Sequence, residues 1–196
     1  VLATTPGRSV VSLEDPVEQV VEGMTQIQVQ PHGELNYVRA MRSLLRQDVQ
    51  VLLDGESRDA ETAHVVIQAA LTGHLIMSTM HSGEPAEAVA GLLEMGIPPY
   101  QLVSALTLLS AQRLVRTRCK SCEGAGCDAC LQCGWHGRCA CGQVVGIDVE
   151  LRQAILARSA VHALRMIISR DGHDLHADGR RLVAEGRSTE EEIRRV

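Results

Sequence analysis

Phenylalanine is absent from this chain of 196 residues; tryptophan occurs once and tyrosine twice. The interior must therefore be aliphatic, and the scarcity argues against recognition of nucleic-acid bases by stacking on aromatic platforms. Lysine is as scarce: Lys120 is the only one, against 18 arginines, so any chemistry that needs a lysine has one candidate. A basic excess is missing too. With 19 Lys and Arg against 24 Asp and Glu, the net charge of -5 does not supply the basic face of a nucleic-acid binder. No apolar run approaches the roughly 18 to 20 residues that cross a bilayer. The most apolar stretch, Val65 to Met77, is broken by Gln68, Thr72 and His74. No charged segment followed by an apolar one opens the chain, so no signal peptide is visible. The expectation is a soluble chain, peripheral on a membrane at most. Residue 1 is Val rather than Met, which reads as a trimmed or incomplete chain.

What is present is ordinary globular composition, 45% hydrophobic and 22% charged. All 7 cysteines lie between Cys119 and Cys141. A disulfide framework spreads its cysteines to staple distant segments, so the clustering reads as metal ligation in a reducing, cytoplasmic compartment.

From Val10 to about Gln112, short β-like runs alternate with helical stretches. Ser9–Leu13, Gln26–Gln30, Val49–Gly55 and His74–Met80 read as strands, the second half-exposed and the last two buried. Leu35–Arg46 has helical apolar spacing. Asp59 precedes a helix that stops at Gly73, and Pro85–Met95 and Pro99–Leu114 are expected as helices with a proline in the first turn. This order predicts an α/β fold with a parallel sheet covered by helices. Active residues then belong at the carboxyl ends of the strands, which here carry Glu14 and Asp15, Asp54 and Glu56, and Thr79 and His81. After the cysteine segment come a short apolar run, Val144–Ile147, and helices over about 149–157, 162–168, 173–184 and 189–195. No tandem repeat is evident. Ser188 before Thr-Glu-Glu-Glu reads as the start of the last helix.

Three clusters carry chemistry. Glu14, Asp15 and Glu18 put carboxylates just past a strand, suited to a hydrated divalent cation or a water, or simply to a solvated turn. Val49–Glu56 is a hydrophobic strand running into acids, the shape of a Walker B element whose carboxylate holds a metal or polarises the water attacking a γ-phosphate. His81 follows a buried strand and could reach a phosphate by hydrogen bond. Near Cys119, two C-x-x-C pairs, Cys119/Cys122 and Cys127/Cys130, supply four thiolates for tetrahedral zinc, with Gly124 and Gly126 letting the backbone turn back. Cys133 could substitute for a ligand; Cys139 and Cys141 read as free thiols. The segment also resembles one unit of the zinc module of DnaJ-type chaperones, which repeats that unit several times.

The stretches "VSLEDPVE", "MRSLLRQD", "GESRDAETA", "TGHLIMSTMHS" and "AQRLVRTRC" occur in the order and spacing of one family. The chain resembles the type II secretion and type IV pilus assembly ATPases, the GspE/PilB group, from about Val10 to its C-terminus. The resemblance implies a RecA-like P-loop NTPase core, with a small zinc knuckle and C-terminal helices. It also implies a hexameric ring on the cytoplasmic face of the inner membrane, using ATP and Mg2+ to move a membrane platform for protein secretion or pilus assembly. Expected partners are copies of the chain and the platform and docking proteins of that machine. Carried over by position, Glu56 is the catalytic carboxylate, Glu14, Asp15 and Glu18 the acids near metal and water, and His81 the His-box residue. Arg42, Arg46 and Arg58 would stand around the nucleotide. The implied division is a partial ATPase domain over 1–115, a tetracysteine module over 116–142 and a helical subdomain over 143–196.

The departures are specific. The family grips phosphate with G-x-x-x-x-G-K-[ST], about 25 residues before the acids near Glu14. Nothing in the chain fits this pattern, and Lys120 lies among the cysteines. The loop is expected upstream of Val1. Gln50 stands where the family has an acid, Asp54 stands where its V-G-E has valine, and "GLLEMG" replaces R-L-x-x-M-G. The competing expectation is a catalytically inactive assembly subunit that keeps zinc and ring contacts.

Overall fold

The computed structural model describes residues 7–30, 33, 35–57, 59–172 and 174–195. The apolar runs of the first half form four strands: β1 (Val10–Glu14), β2 (Thr25–Gln28), β3 (Val51–Asp54) and β4 (Leu75–Ser78). They pair in parallel in the order β2-β1-β3-β4. Leu13 lies opposite Asp54, and Asp54 opposite Ser78, so three neighbouring strands finish at one edge.

The helices follow from local chemistry. α1 (Tyr37–Leu44) begins where the Asn36 side chain accepts from the Arg39 amide, and it buries Val38, Ala40, Met41 and Leu44. α2 (Ala60–Leu71) begins at Asp59, whose carboxylate accepts from the Thr62 amide at 2.8 Å. It gives way at Gly73, whose φ of +100° lies in the left-handed region that glycine enters at little cost. α1 and α2 close on the sheet through Val11, Leu13, Met41, Leu44, Leu52 and Val66. A second aliphatic cluster joins α2 to α3 (Pro85–Glu94), α4 (Pro99–Ala105), α5 (Val149–Leu156) and α6 (Val161–Ile168). Each Leu or Ile fully buried there stabilises the fold by roughly 1.5–3 kcal/mol.

The structure departs from the sequence expectation at three places. The helix expected over Pro99–Leu114 ends at Ala105, Leu106 is extended, and Leu108–Arg118 is a strand, β5. Its partner is β6 (Trp135–Gly146), antiparallel from Leu108 opposite Gly146 to Arg118 opposite Trp135. The physical reason is the period. Leu109, Ala111, Arg113 and Val115 turn inward while Leu108, Ser110, Gln112 and Leu114 face out. Second, β4 is an edge of the described sheet rather than a buried strand, and its Leu75 and Met77 are 44% and 39% exposed. Third, Ser188 does not cap the last helix. Its hydroxyl donates to the Arg116 carbonyl at 2.9 Å, and Thr189 instead accepts from the Glu192 amide.

α7 (Leu175–Ala184) and α8 (Glu190–Arg195) cover the inner face of the hairpin, where Val115, Cys141, Leu182 and Ile193 pack together. α8 is held by Glu192, whose side chain has no exposed surface. It accepts from the Arg116 amide at 3.0 Å, the Arg116 guanidinium at 2.6 Å and the Arg195 guanidinium at 2.7 Å. The Arg116 guanidinium also lies 4.6 Å over the Trp135 ring. Arg195 and Arg116 hold the Glu192 carboxyl far below the usual carboxylate range.

A carboxylate depressed in the folded state stabilises it above the unfolded pKa of about 4.3. That contribution is lost as pH falls further. Glu192→Ala is therefore expected to destabilise the protein by about 2 kcal/mol at pH 7, because the Arg116 amide and two half-exposed guanidinium groups lose their shared acceptor. In urea unfolding, the gap between wild type and variant should shrink steadily below about pH 4. A gap that stays constant down to pH 2.5 contradicts this reading.

Candidate functional site

The site is built on the common edge of β1, β3 and β4. Glu14 closes β1, half-buried, and accepts from Ser12 Oγ at 2.5 Å and Gln26 Nε2 at 2.8 Å. These two hydrogen bonds, Ser12 first, lower its pKa. Gln26 Nε2 on β2 also donates to the Gln19 carbonyl, which ties the loop that carries Asp15 and Glu18 to β2. Asp15 and Glu18 themselves are exposed.

After β3 the chain makes a tight turn through Gly55. Its amide donates to the Leu13 carbonyl at 2.9 Å. A Cβ on residue 55 would sit 2.9 Å from that oxygen and 3.1 Å from the Tyr37 hydroxyl, so only glycine fits without displacing β1. The turn delivers Glu56, whose side chain is 12% exposed and pairs with His81 Nε2. The Ser57 amide donates to the Thr79 carbonyl at 3.0 Å, and the Thr79 hydroxyl donates to the Gly55 carbonyl. Glu56 is thus fastened on one side to β1 and on the other to the segment after β4. His81 itself is 87% exposed.

A cleft of about 240 Å3 opens beside Glu56, lined also by Asn36, Tyr37, Val38, Asp59, Glu61 and Thr62. Arg42 reaches its rim through Glu61 at 3.5 Å. Arg46 lies just past the end of α1 and donates to the Ser43 hydroxyl at 3.4 Å. Arg58 lies outside the described residues. The structure therefore brings Glu14, Glu56 and His81 to one edge, and leaves Asp15 and Glu18 exposed on the loop that follows β1. The sequence reading missed Ser57, Ser78 and Gln26, whose side chains brace this edge. A serine directly following the glutamate was the visible signal for the first.

The tip of the β5–β6 hairpin carries a second centre. Cys119, Cys122, Cys127 and Cys130 bring their sulfurs within 4.8 Å of one another. The Cys119–Cys127 separation is 3.9 Å, and Cys122–Cys130 and Cys127–Cys130 are both 3.8 Å. Four thiolates about 2.3 Å from a tetrahedral zinc stand about 3.8 Å apart, so the donor set fits that ion. Backbone amides support it: Gly126 points at Cys122 Sγ and Gly134 at Cys130 Sγ, both at 3.2 Å. Burial opposes the Cys130 thiolate, but the Cys127 and Gly134 amides outweigh it and bring its pKa to about 6. Glu123 and Leu131, each following the second cysteine of a pair, take φ of 50° and 51°. The same turn is made twice, and the sequence shows why: "CKSCEGAG" and "CDACLQCG" are consecutive eight-residue units of the form C-x-x-C-x-x-x-G. This repeat went unread in the sequence. Cys133 lies outside the four-sulfur group, exposed, with Sγ against the Cys130 carbonyl. Cys141 is buried on the inner hairpin face and donates to the Leu175 carbonyl.

The fold is thus an α/β core built on a parallel sheet with an acidic carboxyl edge, joined to a hairpin with a four-cysteine tip and to C-terminal helices. The sequence pattern of one family, described as "Type II/IV secretion system protein", matches residues 1–195. The chain belongs to that family. It is 38% identical over 197 residues to the type II secretion system protein HxcR of Pseudomonas aeruginosa, covering 96% of this chain and 42% of HxcR. It is 35% identical over 217 residues to the type IV pilus assembly ATPase PilB of Thermus thermophilus, covering 96% of this chain and 24% of PilB. The chain thus spans less than half the length of these relatives. Among solved structures, the pilus retraction motor PilT with bound ADP superposes with a TM-score of 0.76 at 22% identity, over 98% of this chain and 53% of PilT. The Legionella pneumophila ATPase DotB does so with a TM-score of 0.73 at 24% identity, over 95% of this chain and 50% of DotB.

Elemental analysis of protein purified under reducing conditions is expected to find about one zinc per chain. Cys119→Ser should lose it, while Cys133→Ser should keep it. Zinc retained by the first variant, or lost by the second, contradicts this assignment.

Proposed function

We propose that this chain is the C-terminal motor portion of an ATPase that powers type II protein secretion or type IV pilus assembly. One observation carries the reading: β1, β3 and β4 end together, so Glu14, the nearly buried Glu56 and His81 share one edge in a chain of this family. An edge of this kind suits the terminal phosphoryl group of ATP, whose transfer depends on positioning and charge rather than covalent chemistry.

In this reading ATP lies with its γ-phosphate toward Glu56, held by a phosphate loop outside these residues. The Glu56 carboxylate orients a water and takes its proton. The water oxygen bonds to the γ-phosphorus, and the bond to the β–γ bridging oxygen breaks with its electron pair leaving on ADP. The Ser57–Thr79 and Gly55–Leu13 backbone bonds fix Glu56 for that task. His81, paired with Glu56, is within reach of the terminal phosphate, and Arg42 at the cleft rim supplies positive charge. Mg2+, with Glu14, Asp15 and Glu18 near it, would neutralise phosphate charge when bound. Zinc held by Cys119, Cys122, Cys127 and Cys130 would be structural, because a closed set of four thiolates leaves no position for substrate.

The wider setting also belongs to this proposal. The chain works in a hexameric ring of its own copies, docked from the cytoplasm on the inner-membrane platform of its machine. No helix among the described residues is long and apolar enough to cross a membrane, which accords with peripheral attachment.

The test is ATP turnover by the product of the complete reading frame that contains these residues. Glu56→Gln should lower kcat by about 10²- to 10⁴-fold, with much smaller change in KM. Equal rates would remove Glu56 from the mechanism. No turnover in the unaltered protein would establish the inert assembly subunit instead.

A further inference from the structure

Asp54 closes β3 with none of its surface exposed, at the position where the family resemblance has valine. Its Oδ2 accepts from Ser57 Oγ and from Ser78 Oγ, both at 2.8 Å, and the two hydroxyl oxygens are 2.9 Å apart. Its Oδ1 is buried with no hydrogen-bond partner among the described residues. Burial pushes the Asp54 pKa up, against the lowering by the Ser78 and Ser57 hydroxyls. For filling space, a buried carboxyl with one orphaned oxygen is a poor choice beside an apolar residue. A buried polar network does, however, fix relative positions more sharply than apolar contact, because each hydroxyl has a single proton to donate.

The three oxygens sit at the point where that matters. Ser57 directly follows Glu56, and Ser78 lies three residues before His81. The Ser57 amide, bonded to the Thr79 carbonyl, and the Thr79 hydroxyl, bonded to the Gly55 carbonyl, join the same two segments. Glu56 is therefore framed by one set of bonds from the backbone and another from the Asp54 carboxyl.

We propose that Asp54 is a positioning residue: by bridging Ser57 and Ser78 it locks the Glu56 turn to the strand end leading to His81, and so sets how these two side chains meet the terminal phosphate. This rests on the ATPase reading above. Asp54 touches no reacting atom. Its removal leaves both hydroxyls without their shared acceptor, and they turn to other partners, taking the Glu56 turn with them. An asparagine keeps an acceptor oxygen in the same place.

The experiment uses the product of the complete reading frame, with Asp54→Val, Asp54→Asn and the triple variant Asp54→Val/Ser57→Ala/Ser78→Ala. Asp54→Val should lower kcat about ten- to hundredfold, with KM for ATP within about twofold. Asp54→Asn should recover most of that loss. The triple variant should be no slower than Asp54→Val, because all three groups act through one network. The independent readout is hydrogen exchange at the Ser57 amide. It should accelerate about tenfold or more in Asp54→Val and stay near wild type in Asp54→Asn. Unchanged kcat and unchanged exchange in Asp54→Val overturn the proposal, as does an Asp54→Asn variant as slow as Asp54→Val. If the unaltered protein hydrolyses no ATP, the ATPase reading fails, and the exchange result alone then decides whether Asp54 locks the turn.

Discussion

Parallel pairing in register is the constraint on which the rest depends. Because Leu13 lies opposite Asp54 and Asp54 opposite Ser78, β1, β3 and β4 stop at one line, and whatever follows them is gathered there. Each strand is followed within three residues by an acid, an imidazole or a hydroxyl. A shift of one residue in any ladder would turn that strand's side chains to the opposite face. The buried Leu13, Val51 and Leu52 would lose their packing, so the hydrophobic pattern fixes the chemistry's geometry.

The second half of the chain serves a different end. The β5–β6 hairpin carries its cysteine tip away from the sheet. α7 and α8 hold the half of the hairpin next to that tip through Leu182, Ile193 and the Glu192 ion pairs. Arg116 ties these together, because one guanidinium meets both Glu192 and the ring of Trp135, the first residue of β6. The hairpin is therefore braced by charge and apolar contact where its strands run into the cysteine loop, and within that loop by the four sulfurs.

Much of this could be read directly from the residues. The α/β order, the cap at Asp59, the stop at Gly73 and the acids at the strand ends follow from short-range rules that act over a few positions. The family motifs placed Glu14, Glu56 and His81 in one frame. What could not be read depends on partners distant in the chain. Leu108–Leu114 carries enough leucine to imitate a helix, and only pairing with the glycine- and cysteine-rich 135–146 makes it a strand. The hydroxyls of Ser57 and Ser78 are 21 residues apart, and nothing local shows that they share one carboxylate oxygen. The doubled cysteine turn was legible in principle, as an eight-residue spacing, but its glycines became meaningful only when their amides were seen pointing at sulfur.

The most direct test of the account is a structure of the complete gene product with Mg2+ and a non-hydrolysable ATP analogue. The account predicts that the terminal phosphate rests at the carboxyl edge of β1, β3 and β4, with Glu56 within hydrogen-bond reach of it or one water away. A triphosphate bound elsewhere, with Glu14, Glu56 and His81 facing only solvent, would contradict it.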